Sequence, residues 1–154
     1  MQYRCWFLFF VIFMAMKRPI IHVLDIKASP DTVFNAIATI PGLSAWWTSA
    51  VTGATTPGGV IQFRFGEVFR PDMKVLMSDR STIRWECVSG EKDWAGSTFR
   101  FTMDETAGMI RLTFAQDYAI AIGDEKYGKY NFNWGYYLYS LKKYCETGVG
   151  LPFR

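Results

Sequence analysis

The sequence predicts an α+β domain in which a curved antiparallel sheet wraps around one long carboxyl-terminal helix. Three observations predict it. Five segments between residues 60 and 118 alternate apolar and polar side chains with the period of a strand. One amphipathic stretch, from about Asn131 to Glu146, carries the period of a helix. With 154 residues, 50% of them hydrophobic, the chain is long enough to build a single core that packing alone stabilises.

Each element follows in order from Pro19. Ile20 to Ala28 alternates, with Ile20, His22, Leu24 and Ile26 on one face and Val23, Asp25 and Lys27 on the other, which is a half-buried strand. Ser29-Pro30-Asp31 starts a helix, because the serine hydroxyl accepts from a free amide, proline fits the first turn and aspartate meets the positive dipole end. Its apolar stripe is Val33, Phe34, Ile37 and Ile40, Pro41-Gly42 is expected to stop it, and a short helix follows at Leu43 to Trp47. After a turn-rich stretch from Gly53 to Gly59, strands are expected at Val60–Phe65, Met73–Met77, Thr82–Val88, Ser97–Met103 and Met109–Tyr118. Their short connections make a meander. The inward parity is Ile61, Phe63, Phe65, then Met73, Val75, Met77, then Ile83, Trp85, Cys87, then Phe99, Phe101, Met103, then Ile110, Leu112, Phe114. The outward parity carries Arg64, Lys74, Arg84, Glu86, Arg100, Thr102, Arg111 and Thr113, a solvated face on which Glu86 and Arg100 read as a cross-strand pair. A polar loop at Gly123 to Gly128 leads to the long helix, whose Trp134, Leu138, Leu141 and Cys145 recur at helical spacing, with Gly148 placed to close it.

Composition excludes several function classes. Lys plus Arg outnumber Asp plus Glu by only 17 to 14, without a basic stripe, so nucleic acid is not an expected partner. The three cysteines, Cys5, Cys87 and Cys145, lack metal-ligand spacing, and His22 is the one histidine, so neither a zinc site nor a Ser-His-Asp triad is expected and no cofactor is implied. Reduced thiols point to the cytoplasm. Glu67, Asp72 and Asp93 are loop carboxylates with nothing to pair any two, and Gly58-Gly59 and Gly148-Val149-Gly150 lack the strand-to-helix context of a phosphate loop. Residues 5–16 form an unbroken apolar run that Lys17 and Arg18 follow where a cleavage site would lie, and the run is short of a bilayer span. Three readings of it stand open: a dispensable extension, a packed or membrane-surface segment, and a signal or anchor. Residues 1–18 are accordingly set apart as an apolar extension, and the domain is expected over 19–154; no membrane partner is expected apart from that run.

The order of elements, with particular motifs, resembles the SRPBCC superfamily, also called START-like or helix-grip. The motifs are Leu24-Asp25-Ile26-Lys27 running into Ala28-Ser29-Pro30 with Val33 and Ala36, then Gly42-Leu43 to Trp46-Trp47, then Gly58-Gly59 to Phe63-Arg64-Phe65-Gly66. The most specific lie near the carboxyl end: Trp134-Gly135-Tyr136-Tyr137-Leu138, Ser140-Leu141-Lys142 and Glu146-Thr147-Gly148-Val149-Gly150-Leu151-Pro152. These resemble most the branch named for the activator of heat-shock-protein-ninety ATPase. The resemblance implies a fold more than an activity, since such domains bind lipids, sterols or plant hormones, cyclise polyketides, or stimulate a chaperone ATPase.

Twenty-seven aromatic residues, six Trp, eight Tyr and thirteen Phe, exceed what a small core needs and suggest a lined cavity or an aromatic interface. The first expectation is therefore an apolar or amphipathic small molecule bound between sheet and terminal helix. Trp46, Trp134, Phe99, Phe101 and Trp85 would give apolar contact, with Trp47 a further candidate, while His22, Gln116 and Tyr118 would fix a polar end. Each has a plainer reading: the aromatics fill the core, and His22 is a structural histidine with one hydrogen-bond partner. Tyr130 and Asn131 are weaker candidates. Many members of the branch that the chain resembles carry a histidine at the position matched by Gln116, and an amide there can only donate and accept hydrogen bonds. The alternatives are a module that interacts with a chaperone and a cyclase- or hydrolase-like enzyme, for which His22 is the one obvious base.

Overall fold

Ser29 accepts from the Thr32 amide at 3.1 Å and so caps the helix that leaves the first strand, as its hydroxyl chemistry requires. The computed structural model describes residues 17–154. The apolar run at 5–16 lies outside the described residues. Strand β1, Ile20–Ile26, is followed by helices α1, Pro30–Ala38, and α2, Ile40–Trp46. Pro41-Gly42 does not stop α1. Thr39 ends that helix and caps the next, accepting from the Gly42 amide at 3.1 Å, so Pro41 sits in a first turn, where a missing N–H costs nothing.

The meander is complete and has one strand more than the alternation foretold. It comprises β2 Ala50–Gly53, β3 Val60–Arg64, β4 Asp72–Ser78, β5 Thr82–Ser89, β6 Thr98–Thr106 and β7 Met109–Asp117. β2 spans four residues with Val51 alone buried, too short to show a period. The strand order is β1-β7-β6-β5-β4-β3-β2, antiparallel throughout, an open sheet whose two edges are the strands that flank α1 and α2. Helix α3, Asp124–Thr147, packs across the inner face and ends on Gly148, whose φ of 80° is the left-handed cap. It starts seven residues before the expected position, because Asp124 and Glu125 occupy its first turn and Gly128 is carried inside it.

Inward positions of β3, β5, β6 and β7 are buried as the alternation demands. Met77 is the exception, 41% exposed. A bulge between Val75 and Met77 lets Met77 pair with the outward Arg84, and one extra residue reverses the parity beyond it. Register also corrects the expected Glu86–Arg100 pair: Arg100 lies opposite Arg84, whereas Glu86 lies between Thr98 and Lys74.

Two seams hold α3 in place. Along β1, Tyr127 Oη donates to the Pro19 carbonyl at 3.1 Å, His22 Nε2 bonds Asn131 Oδ1 at 3.0 Å, Lys142 reaches the Asp25 carbonyl, and Glu146 accepts from the Lys27 amide at 2.8 Å. At the other side the tail after Gly148 folds back as a strap. Ser140 Oγ, fully buried, donates to the Trp46 carbonyl at 2.8 Å and accepts from the Leu151 amide at 2.6 Å. Gly150 passes so near α2 that a Cβ there would meet the Ala45 oxygen at 2.2 Å, and Phe153 then bonds the backbone of Trp47 and Ser49.

Ser140→Ala removes both side-chain bonds, leaving the buried Trp46 carbonyl and the part-buried Leu151 amide without this partner. A loss of about 1–3 kcal/mol is expected in urea denaturation, and a loss below about 0.5 kcal/mol would show that the strap holds without the hydroxyl.

Candidate aromatic cleft

Five rings close on one another where α3 leaves the sheet. Ring centroids run Trp47 to Phe65 at 5.5 Å, Phe65 to Phe69 at 5.4 Å, Phe69 to Trp94 at 4.8 Å, Trp94 to Trp134 at 6.0 Å and Trp134 back to Trp47 at 5.1 Å. They border a half-open cleft of about 300 Å³, with Tyr130, Asn133 and Tyr137 of α3 on one lip and Phe153 of the strap on the other. Trp47 follows α2, Phe65 and Phe69 flank the turn after β3, and Trp94 stands in the loop between β5 and β6. Among the described residues no charged side chain lines the cleft. Such a lining takes apolar surface, with orientation left to a few polar groups.

The sequence-derived candidates divide between this cleft and the core. Trp134 is common to both, 2% exposed and on the cleft wall. Trp46, Trp85, Phe99 and Phe101 are buried in the core and do not border the cleft; the Trp46 indole N–H is taken by the Ala36 carbonyl at 2.9 Å. His22 faces α3 in the β1 seam, bonded to Asn131 and away from the cleft. Gln116 and Tyr118, both buried, stand behind the wall. Phe65, Phe69, Trp94, Asn133, Tyr137 and Phe153 are cleft residues that sequence reasoning missed as site residues. Trp94 and Phe69 lie in loops without a period, and Phe153 reaches the cleft only through the strap, but the Trp134-Gly135-Tyr136-Tyr137 motif held a usable signal for Tyr137.

Behind the wall, polar groups are left over. Trp134 Nε1 donates to Gln116 Oε1 at 2.7 Å. An indole nitrogen can only donate, so this bond fixes the orientation of the amide, and Gln116 Nε2 is left without a partner among the described residues. Trp94 Nε1 and Tyr118 Oη are also buried and without a hydrogen-bond partner among the described residues. Burial pushes the Tyr118 phenol far up, so it stays a neutral hydroxyl. Tyr130, stacked on Tyr118 at 6.2 Å, is pushed up to about 12 by burial and by the neighbouring Asp93 carboxylate. Asp93 Oδ2 accepts from Lys126 Nζ at 2.6 Å and from Tyr130 Oη at 3.1 Å; the ammonium first, and the phenol after it, hold its carboxyl below the ordinary range, and the two bonds tie the start of α3 to the Trp94 loop. Burial raises the Cys87 and Cys145 thiols to about 11 and about 12, so neither is a nucleophile at neutral pH. Among the described residues no group of three or more His, Cys, Asp and Glu side chains is placed to hold a metal ion, and no helix is long and apolar enough to cross a membrane.

This sheet and its long terminal helix match known proteins. The family model described as activator of Hsp90 ATPase homolog 1-like protein matches residues 27–146. The chain belongs to this family. The Aha1 dimer from Colwellia psychrerythraea is 30% identical, with 86% of this chain and 99% of that one covered and a TM-score of 0.78. More distant members of the same helix-grip fold include CalU16 from Micromonospora echinospora, 14% identical over 88% of this chain and 70% of that one at a TM-score of 0.72. The protein SSP2350 from Staphylococcus saprophyticus is 19% identical over 87% and 96% of the two chains, at a TM-score of 0.69. No curated protein sequence matches the chain. The activator-like family therefore contains this chain over its sheet and terminal helix, and the SRPBCC resemblance of the motifs is the resemblance of the fold.

The Trp134–Gln116 bond makes a testable unit. Trp134→Phe strips Gln116 of its remaining side-chain bond and is expected to cost about 1–3 kcal/mol in chemical denaturation. Gln116→Leu is expected to cost a similar amount, while the double variant should lose clearly less than the sum; strictly additive losses would contradict the coupling.

Proposed function

We propose that this protein is an interaction module that engages a chaperone ATPase of the heat-shock-protein-ninety class. The observation that carries the reading is the 30% identity to Aha1 over 99% of that chain, combined with the family match over residues 27–146. The interior supports it. Trp85, Phe99 and Phe101 fill the space between sheet and helix, so the space left over is small and half-open. Among the described residues the cleft lining also offers no carboxylate, imidazole or amine to act as acid or base.

The reading is tested by the steady-state ATPase rate of the purified chaperone with and without the full-chain protein. A severalfold rise that saturates with added protein is the expected result. An unchanged rate together with no heat of binding in calorimetry would sink it.

A second reading rests on the cleft itself. About 300 Å³ bordered by aromatic rings, with the exposed Asn133 at its edge, suits an apolar or amphipathic small molecule. Native mass spectrometry of the protein from a lipid-replete host should then show a reproducible adduct. Asn133 is exposed on the lip, so Asn133→Trp leaves the core intact and should remove the adduct. An adduct that survives this substitution would place the ligand elsewhere.

A further inference from the structure

We infer that the outer face of the sheet, centred on Arg84 and Arg100, is a docking surface for an acidic, partly apolar protein segment. The inference deepens the interaction-module reading and rests on it for the identity of the partner. Arg84 of β5 and Arg100 of β6 are directly opposite one another, and both are exposed. Like charges in directly opposed positions destabilise a sheet, so sheet packing gives no reason for the pair. Neither guanidinium has a carboxylate within reach among the described residues, although Arg18, Arg64, Arg70, Arg80 and Arg111 each have one. Two adjacent planar forks without partners are a ready receptor for carboxylates, which each can bind bidentately.

The register places apolar side chains at both ends of the pair. One lateral row reads Ile21, Ala115, Arg100, Arg84, Met77 from β1 to β4. Ile21 is 56% exposed and Met77 41%, the latter brought to this face by the bulge. Val23, beside Ile21 on the same face, is 60% exposed. Exposed apolar groups flanking unpaired arginines have the composition of a protein interface, in which arginine is enriched. The acidic groups of this face bear on the choice of partner. The next row reads Lys74, Glu86, Thr98, Asp117 from β4 to β7, and Asp104 and Asp25 stand opposite Arg111. A polyphosphate would meet these carboxylates together with the apolar ends of the row, whereas a peptide with a few carboxylates between apolar residues meets complementary groups at each position.

The test uses the full-chain protein with three probes: the purified chaperone, an acidic glutamate–tyrosine copolymer and a single-stranded DNA oligomer. Arg84→Glu/Arg100→Glu is compared with wild type and with Lys92→Glu/Lys143→Glu, which makes the same change in net charge away from the surface. Thermal melting checks that each variant is folded, and Arg84→Gln/Arg100→Gln replaces the reversal if that variant melts early. Wild type is expected to bind the copolymer in a salt-sensitive manner, with at least a tenfold loss for the arginine variant and less than a twofold loss for the lysine variant. Equal copolymer binding by both variants overturns the inference, as does tighter binding of DNA that depends on the same arginines. The chaperone arm separates the two levels. Chaperone binding that the arginine variant retains overturns the surface while the interaction reading stands. Copolymer binding lost with the arginines, in a protein that ignores the chaperone, upholds the surface and overturns that partner.

Discussion

Everything on the inner face is arranged around the indole of Trp134. Its ring lies 4.2 Å from Phe114, 5.1 Å from Trp47 and 6.0 Å from both Phe99 and Trp94, so it touches the sheet, the end of α2 and the Trp94 loop at once. A buried indole must also place its N–H, and Gln116 on β7 supplies the acceptor. The bond sets the rotation of α3. With Trp134 fixed against β7, the spacing of a helix directs Leu138, Leu141 and Cys145 into the core and Tyr130 and Tyr137 to the cleft.

The cleft follows from where the aromatic packing stops. Between the central strands and α3, large rings meet ring to ring and leave no room. Past Phe65 the chain turns away from the sheet, and the facing surfaces are the first half of α3 and the Trp94 loop, which Asp93 ties together through Tyr130 and Lys126. The strap supplies the last wall. Phe153 reaches the cleft because Ser140 anchors Leu151 and because Gly150, having no Cβ, can pass the Ala45 carbonyl. The Gly148-Val149-Gly150 pattern is thus a helix cap followed by a close approach.

Much of this was legible in the sequence where periodicity speaks. The meander, the Ser29 cap, the inward aromatics and the stripe Trp134, Leu138, Leu141, Cys145 could all be read, since each repeats at a period fixed by backbone geometry. The failures have physical reasons of another kind. β2 is too short to alternate, the first turns of α3 are polar and contain Gly128, and the bulge that turns Met77 outward depends on pairing with β5. Trp46 and Trp47 are adjacent and equally hydrophobic. Only the fold decides that Trp46 spends its N–H on Ala36 in the core while Trp47 meets Phe65 edge to face at the cleft. The composition of the cleft was legible, in that aromatic residues exceed the needs of a core, but its location depended on two loops and a tail.

Much of the chain satisfies its own local chemistry: hydroxyls cap α1 and α2, five arginines reach carboxylates, and the buried Ser140 hydroxyl is bonded on both sides. The departures gather in two places. One is the back wall of the cleft, where Trp94, Gln116 and Tyr118 each keep a buried polar atom without a partner among the described residues. The other is the outer sheet face, where Arg84 opposes Arg100. A folded chain tolerates such costs where something other than folding is served, since each departure lowers stability with no packing gain in return. The two places lie on opposite faces of the same strands: Phe99 and Phe101 flank Arg100 on β6 and point inward, and Gln116 follows Ala115 on β7. Alternation along each strand is what separates them, since successive side chains point to opposite faces of the sheet.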